Sequence, residues 1–228
     1  MKYQNIQKGI FLRRPNRFIA YCKINGKKEI CHVKNTGRCR ELLINGCEVF
    51  LEKSDNPNRK TQYDLIAVNK NGRLINMDSQ APNKAVYEWL KEQKPFGQDI
   101  EVFPERTYGK SRFDFFMKSD KSDRKIYLEV KGCTLEQNGV VLFPDAPTER
   151  GLKHINELIN CVENGMEGAI LILVQMSDVR YFTPNYETHR EFGEELKAAK
   201  EKGVTIMCYD SIVTPDSIKV GKPVEIRL

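Results

Sequence analysis

The segment Tyr127-Leu128-Glu129-Val130-Lys131 holds the residues whose chemistry is easiest to name. It favours a strand, and side chains on a strand alternate faces, so Glu129 and Lys131 share one face while Leu128 and Val130 turn into a core. About fifteen residues upstream, Ser111-Arg112-Phe113-Asp114-Phe115-Phe116 places one carboxylate among aromatics. If the two strands are neighbours, Asp114 and Glu129 converge. Two carboxylates and a backbone carbonyl make an oxygen site for Mg²⁺ or Mn²⁺, with positions left for water and phosphate. Such a cation polarises a phosphate oxygen. Lys131, one strand repeat from Glu129, is placed to orient the attacking water or to neutralise charge building on the phosphate. Asp114, Glu129 and Lys131 are therefore the candidate catalytic set, with Asp114 and Glu129 as metal ligands. Taken alone, the spacing also fits an exposed strand face carrying a Glu/Lys pair.

Two further regions could meet phosphate. Phe143-Pro144-Asp145-Ala146-Pro147-Thr148-Glu149-Arg150-Gly151-Leu152-Lys153-His154 puts Arg150, Lys153 and His154 near a helix start. A helix N-terminus favours anions through its dipole and free N–H groups. Asp145 and Glu149 would cap that terminus, and an ordinary capped helix start explains the segment equally well. Near the other end, Arg13, Arg14 and Arg17 precede Phe18, and Lys34, Asn35, Arg38 and Arg40 follow His32. Basic residues interleaved with Asn and turn formers suit phosphate contact along a groove. Arg112, beside Asp114, joins the candidate DNA contacts. Phe11, Phe18 and Tyr21 could stack on bases, although a barrel core accounts for them more simply.

These residues need a scaffold. Phe18–Ile24 is rich in strand formers, Asn25-Gly26 is a hairpin signal, and Glu29–Lys34 follows. Asn35-Thr36-Gly37 reads as a turn, and Arg38–Leu43 as one or two helical turns. Cys47–Leu51, Tyr63–Val68 and Leu74–Met77 supply further strands. Five or six short strands with a small helical insert suit a closed barrel of the OB type, a fold that often binds nucleic acid. The pattern changes at Ala81-Pro82-Asn83. Asn83 is the predicted cap of a helix to about Gln93, with Val86, Trp89 and Leu90 on its apolar face. Strands follow at Ile100–Arg106, Ser111–Met117 and Ile126–Val130. Then come a helix from Thr148, a strand at Ala169–Gln175, a helix over His189–Lys202, a strand at Val204–Tyr209 and a hairpin around Gly221-Lys222. The reading is an α+β chain of two domains, a barrel over 1–82 and an α/β domain with a mixed sheet over 83–228.

Composition sets the surroundings. The first fifty residues carry eleven Lys/Arg against three acids, so they hold +8 and the remainder −2 of the net +6. A basic end on a near-neutral body suits a polyanion, although a solvated surface is the commoner cause of a charge cluster. No apolar run approaches the ~20 residues of a membrane helix. Seven scattered cysteines without a secretory leader fit reduced thiols in a cytoplasmic protein. Four of them crowd residues 22–47 without a Cys-x-x-Cys pair, which favours core residues over zinc. Gly109-Lys110-Ser111 mimics the end of a P-loop, but the first glycine of that motif would fall at Pro104.

In order along the chain stand Arg13-Arg14-x-Asn16-Arg17-Phe18, His32-x-x-Asn35-x-Gly37-Arg38 with Glu41-Leu42-Leu43, Gly109-x-Ser111-Arg112-Phe113-Asp114, Glu129-Val130-Lys131 and Phe143-Pro144-Asp145-Ala146-Pro147-Thr148-Glu149-Arg150-Gly151-x-Lys153-His154. Together they resemble the sugar fermentation stimulation protein A family, over about residues 9 to 210. The resemblance implies an N-terminal OB barrel, a C-terminal domain like the PD-(D/E)xK nucleases, and DNA binding. It also implies a regulatory role in sugar (maltose) metabolism. Phe113-Asp114 stands where the motif's name has Pro-Asp. In several such nucleases a glutamate on the first helix completes the metal shell, which nominates Glu88, with Glu105 competing. Two functions follow: a Mg²⁺-dependent nuclease acting on DNA phosphodiesters, or a non-catalytic DNA-binding regulator. RNA stays open as a partner. Nucleases of this type are often dimers, but no homodimer surface is legible.

Overall fold

The computed structural model describes residues 1–35 and 37–228, so the Asn35-Thr36-Gly37 turn lies in part outside the described residues. Six strands open the chain: β1 (Ile6–Arg13), β2 (Ile19–Ile24), β3 (Lys27–Val33), β4 (Glu48–Lys53), β5 (Tyr63–Lys70) and β6 (Arg73–Asn76). Asn25 and Gly26 both take positive φ and turn β2 tightly into β3, the backbone a two-residue hairpin demands. β1 pairs with β2 and with β4, and β4 with β5. The parallel β3–β5 pairing then closes a five-stranded barrel. This is the OB order, and Phe11, Ala20, Cys22, Cys31, Val49, Leu51 and Leu65 fill its interior. Arg38–Leu43 makes a single turn, with Leu42 and Leu43 N–H groups on the Cys39 carbonyl.

The second domain begins at α1 (Ala81–Gln93), followed by β7 (Ile100–Tyr108), β8 (Ser111–Ser119) and β9 (Lys125–Cys133). Next come β10 (Glu136–Gln137), β11 (Val140–Phe143), α2 (Glu149–Glu163), β12 (Glu167–Val174) and β13 (Tyr181–Pro184). The chain ends with α3 (Arg190–Glu201), β14 (Thr205–Thr214), β15 (Ser217–Pro223) and β16 (Glu225–Ile226). The main sheet runs β15-β14-β12-β9-β8-β7. It is mixed: β9, β12 and β14 are parallel, and the edge pairs are antiparallel. β12 is buried from Gly168 to Val174, as a central strand covered on both faces must be.

Two apolar cores lie on opposite faces of this sheet, and both continue into the barrel. One joins the barrel interior through Met77, Cys133 and Val141 to α2 and α3; the other joins Phe50, Ile66 and Ala67 to α1. Between the domains a polar cluster is fully buried. Gln175 Nε2 donates to the Asn76 carbonyl, to Asn76 Oδ1 and to the Asp78 carbonyl, while Asn76 Nδ2 donates to Tyr3 Oη. Ordinary burial of such groups is costly unless every one finds a partner.

Several expectations change. α1 starts at Ala81 with Pro82 in its first turn, so Asn83 is not its cap. At α2 the cap is Thr148, whose Oγ1 accepts from Gly151 N–H; Asp145 and Glu149 do not fill that role. The last hairpin turns at Asp216 between β14 and β15, while Gly221 and Lys222 lie within β15. A small sheet, β10-β11-β13-β16, was not anticipated. It carries the Phe143–Thr148 loop, because Asn185 binds the Phe143 carbonyl through its N–H and the Pro144 carbonyl through Nδ2. Gly109-Lys110 is simply the β7–β8 turn.

Candidate active site

β8 and β9 pair from Lys118–Lys125 to Phe115–Leu128 and then part. One residue further, the same register sets Asp114 opposite Glu129. The strand is distorted there: Phe113 and Phe116 both pack on Tyr127, three residues apart, which strict alternation forbids. Facing them on β7, Glu105 takes a left-handed φ of 52°. The parting strands leave the Val130 N–H without a ladder partner, and Asp114 Oδ2 accepts it at 2.7 Å. Asn83 Nδ2, from the first turn of α1, donates to Asp114 Oδ1 at 2.6 Å. Asn83 thus reaches the site, a role that its helix-start signal did not suggest.

Glu129 is 3% exposed. Its Oε1 takes Lys131 Nζ at 2.5 Å and lies 2.5 Å from His154 Nδ1, a close contact that falls outside hydrogen-bond geometry. Its Oε2 is buried with no hydrogen-bond partner among the described residues. An unpartnered buried carboxylate oxygen costs on the order of 1–3 kcal/mol or more, so Oε2 is an acceptor that the described residues leave unmet. The electrostatics of the two acids diverge. Burial pushes Asp114 up to about 6, and the Glu129 charge adds to the shift against the N–H donors. Burial also pushes Glu129 up, but His154 and Lys131 outweigh it and hold that carboxyl below its ordinary value. One oxygen presented free and a second acid burdened by its neighbour's charge fit a divalent cation, which relieves both.

The site opens into a cleft of about 470 Å³ lined by Asn35, Asn83, Asp114, Glu129, Lys131, Asp145 and Arg150, among others. Gly132 forms part of its floor; a Cβ there would fall 2.6 Å from both Gln175 Oε1 and Pro82 Cγ. A larger groove of about 1220 Å³ runs along the barrel rim past Arg13, Arg17, Arg38 and Arg40. The two hollows share Gly37, Leu135 and Asp145, so the rim leads into the cleft.

The other residues singled out from sequence divide. Glu88 lines a hollow of about 520 Å³ beside α1 together with Asp114 and Glu105, although its carboxylate pairs with the Met1 ammonium. Glu105 is exposed and lies 3.7 Å from Arg112, and among the described residues no three His, Cys, Asp or Glu side chains gather into one metal-binding group. Arg14 lines the groove, yet it spends its guanidinium on the carbonyls of Arg17, Asn35, Gly37 and Arg38, bracing the loop. Lys34 sits among Glu52, Asp64 and Asp78. Asn35 binds the Met77 carbonyl and the Gly37 N–H. Lys153 Nζ holds the Lys110 carbonyl at 2.6 Å, pinning the β7–β8 turn. His154, 4% exposed, cannot meet a nucleic-acid backbone. Tyr21 corrects in the opposite direction: it lies on the barrel's outer wall with Arg13 and Lys28 each 4.6 Å from its ring centre. Phe18 is 53% exposed; only Phe11 is core.

With this geometry in view, two family models match the chain: the SfsA N-terminal OB domain over residues 12–77, and the sugar fermentation stimulation protein RE domain over residues 80–217. The chain belongs to the sugar fermentation stimulation protein family. It is 53% identical to a homologue from Clostridium beijerinckii, with all of both chains covered. A homologue from Desulfitobacterium hafniense is 55% identical over all of this chain and 99% of its own. Among solved structures, Pyrococcus furiosus SfsA in complex with Ca²⁺ superposes with a TM-score of 0.88 at 26% identity, covering 100% of this chain and 98% of that one. The family's two-part architecture is the one described above. No helix among the described residues is long and apolar enough to cross a membrane.

Proposed function

We propose that this family member binds DNA along the barrel rim and hydrolyses its phosphodiester bonds at Asp114, Glu129 and Lys131 with a divalent cation, Mg²⁺ or Mn²⁺. The observation that carries the reading is the buried, unpartnered Oε2 of Glu129, a residue that lines a cleft continuing a basic groove. Asp114 and Glu129 would hold the cation, which when bound supplies a Lewis acid for a phosphate oxygen. The complex of the Pyrococcus relative with Ca²⁺ supports a hard divalent ion. Asn83 and the Val130 N–H fix Asp114. Lys131 is the mobile member: in turning from Glu129 towards the cleft it brings a positive charge to the phosphate or to the attacking water. Arg150 at the mouth and Arg13, Arg17, Arg38 and Arg40 along the rim hold the backbone on either side. Tyr21 offers a ring on which an unpaired base can stack.

The test is incubation of the purified protein with single-stranded, double-stranded and branched DNA in Mg²⁺, Mn²⁺ or EDTA, beside Glu129→Ala and Lys131→Ala. Cleavage that needs metal and falls at least ~100-fold in both variants, with DNA affinity in EDTA kept, supports the enzyme. The second reading is a DNA-binding regulator of sugar metabolism with an idle site. It draws on Asp114, both of whose oxygens already accept hydrogen bonds. Salt-sensitive binding without cleavage in any metal favours it.

A further inference from the structure

His154 lies on α2 in the row of buried residues that includes Gly151, Ile155 and Leu158. Its ring packs on Phe113, the residue before Asp114, with centroids 5.7 Å apart. Arg150 Nε lies 3.5 Å from His154 Nε2 and donates to it. That contact makes Nε2 the acceptor and leaves the proton on Nδ1, the nitrogen against Glu129 Oε1. Glu129 Oε1 therefore has two holders of different freedom. The Lys131 side chain is 16% exposed at the cleft and hangs on four rotatable bonds; the His154 side chain is 5% exposed and wedged between a helix and a ring. When Lys131 turns to a phosphate, only His154 remains to fix the carboxylate.

We propose that His154 is a positioning residue: its Nδ1, 2.5 Å from Glu129 Oε1, holds that carboxylate in place so that Oε2 is the oxygen offered to the divalent cation. This rests on the metal-site reading above. It gives the Thr-Glu-Arg-Gly-x-Lys-His segment a second task, since the same helix start that lines the cleft with Arg150 also carries the anchor for the ligand. Ligand-orienting partners of this kind change metal affinity by about 10–100-fold when removed.

The side-chain amides of Asn and Gln separate this role from simple packing. In His154→Asn the amide nitrogen falls near the position of Nδ1; in His154→Gln it falls near Nε2. Mn²⁺ binding is measured by calorimetry on the full chain without DNA, with thermal melts as a check on folding. His154→Asn is expected to bind Mn²⁺ within about threefold of the parent, and His154→Gln about tenfold or more weaker. His154→Leu, which keeps bulk without a donor, should match Gln. DNA affinity in EDTA should stay level across the series. Equal Mn²⁺ affinity in the Asn and Gln variants overturns the proposal, whether or not the Leu variant folds. Failure of the underlying site would look different: the parent and Glu129→Gln would then bind Mn²⁺ alike.

Discussion

Two carboxylates, one in each domain, are buried to the same degree and treated in opposite ways. Asp64 on β5 is 4% exposed and Glu129 on β9 is 3% exposed. Every oxygen of Asp64 is engaged. Arg59 grips both, His32 Nδ1 adds a contact to Oδ1 at 3.0 Å, and Lys34 stands 3.3 Å from Oδ2. Among the described residues Glu129 has its partners on one oxygen and none on the other. The Asp64 cluster closes the barrel's charge balance; the Glu129 carboxylate keeps one oxygen unpartnered among the described residues. The two acids share their degree of burial and differ in how their oxygens are partnered.

The largest expected effect strikes this contrast directly. Asp64→Ala, which takes the carboxylate from Arg59 and leaves Lys34 two acids instead of three, should lower stability in urea by about 3 kcal/mol. Glu129→Gln, in the absence of metal, should change it by less than about 1 kcal/mol. Comparable losses in both would make Glu129 architectural too. Next in size is a pH effect. Burial raises Asp114 to about 6, with the Glu129 charge adding to it, so its ionisation weakens the fold progressively as pH climbs from 3.8 through 6. Asp114→Asn should accordingly gain up to ~3 kcal/mol at pH 7.5 without metal, and nothing near pH 4. Asp64 runs the other way. Burial would push it up, but Arg59 and then Lys34 and His32 outweigh that and hold it below 3.8, so its contribution is lost only as pH falls past that value. Denaturation midpoints across pH 2–8 test both signs.

A smaller shift should come from the ligand itself. Mn²⁺ at a hundredfold excess over its Kd should stabilise the parent by ~2.7 kcal/mol and leave Glu129→Gln unmoved; equal shifts in the two would place the ion elsewhere. Smallest is the division among barrel residues. Tyr21→Ala should weaken binding of an oligo-dT by about tenfold, the scale of one lost base stack. Lys34→Ala, which removes a cation already committed to three acids, should change it less than about twofold. Anisotropy in EDTA at two salt concentrations reads both.

Much of the site was legible from sequence because it depends on short-range rules. Alternation on a strand put Glu129 and Lys131 together, and the Asn25-Gly26 turn fixed β2 against β3. What escaped depends on contacts that no local pattern encodes. Asn83 looks like a helix cap until β8 and β9 part and bring Asp114 to it. Arg14, Lys34 and Lys153 look like phosphate contacts because a basic side chain reads the same whether its partner is a nucleic acid or a carbonyl forty residues away. His154 was grouped with them, although the helical spacing from Gly151 to Ile155 and Leu158 could have marked it as inward-facing. β10 and β16, two residues each, are too short to leave a periodic trace.

The three hydrogen bonds from the Gln175 amide to Asn76 and Asp78 have a consequence for inheritance. Two of the three acceptors are backbone carbonyls, so a barrel exchanged between relatives would have to hold residues 76–78 in the same register to meet that buried nitrogen between two continuous apolar cores. The halves of this protein are therefore poor candidates for shuffling as separate modules, and a graft that replaces residues 1–80 alone should misfold unless Gln175 and its surroundings travel with it.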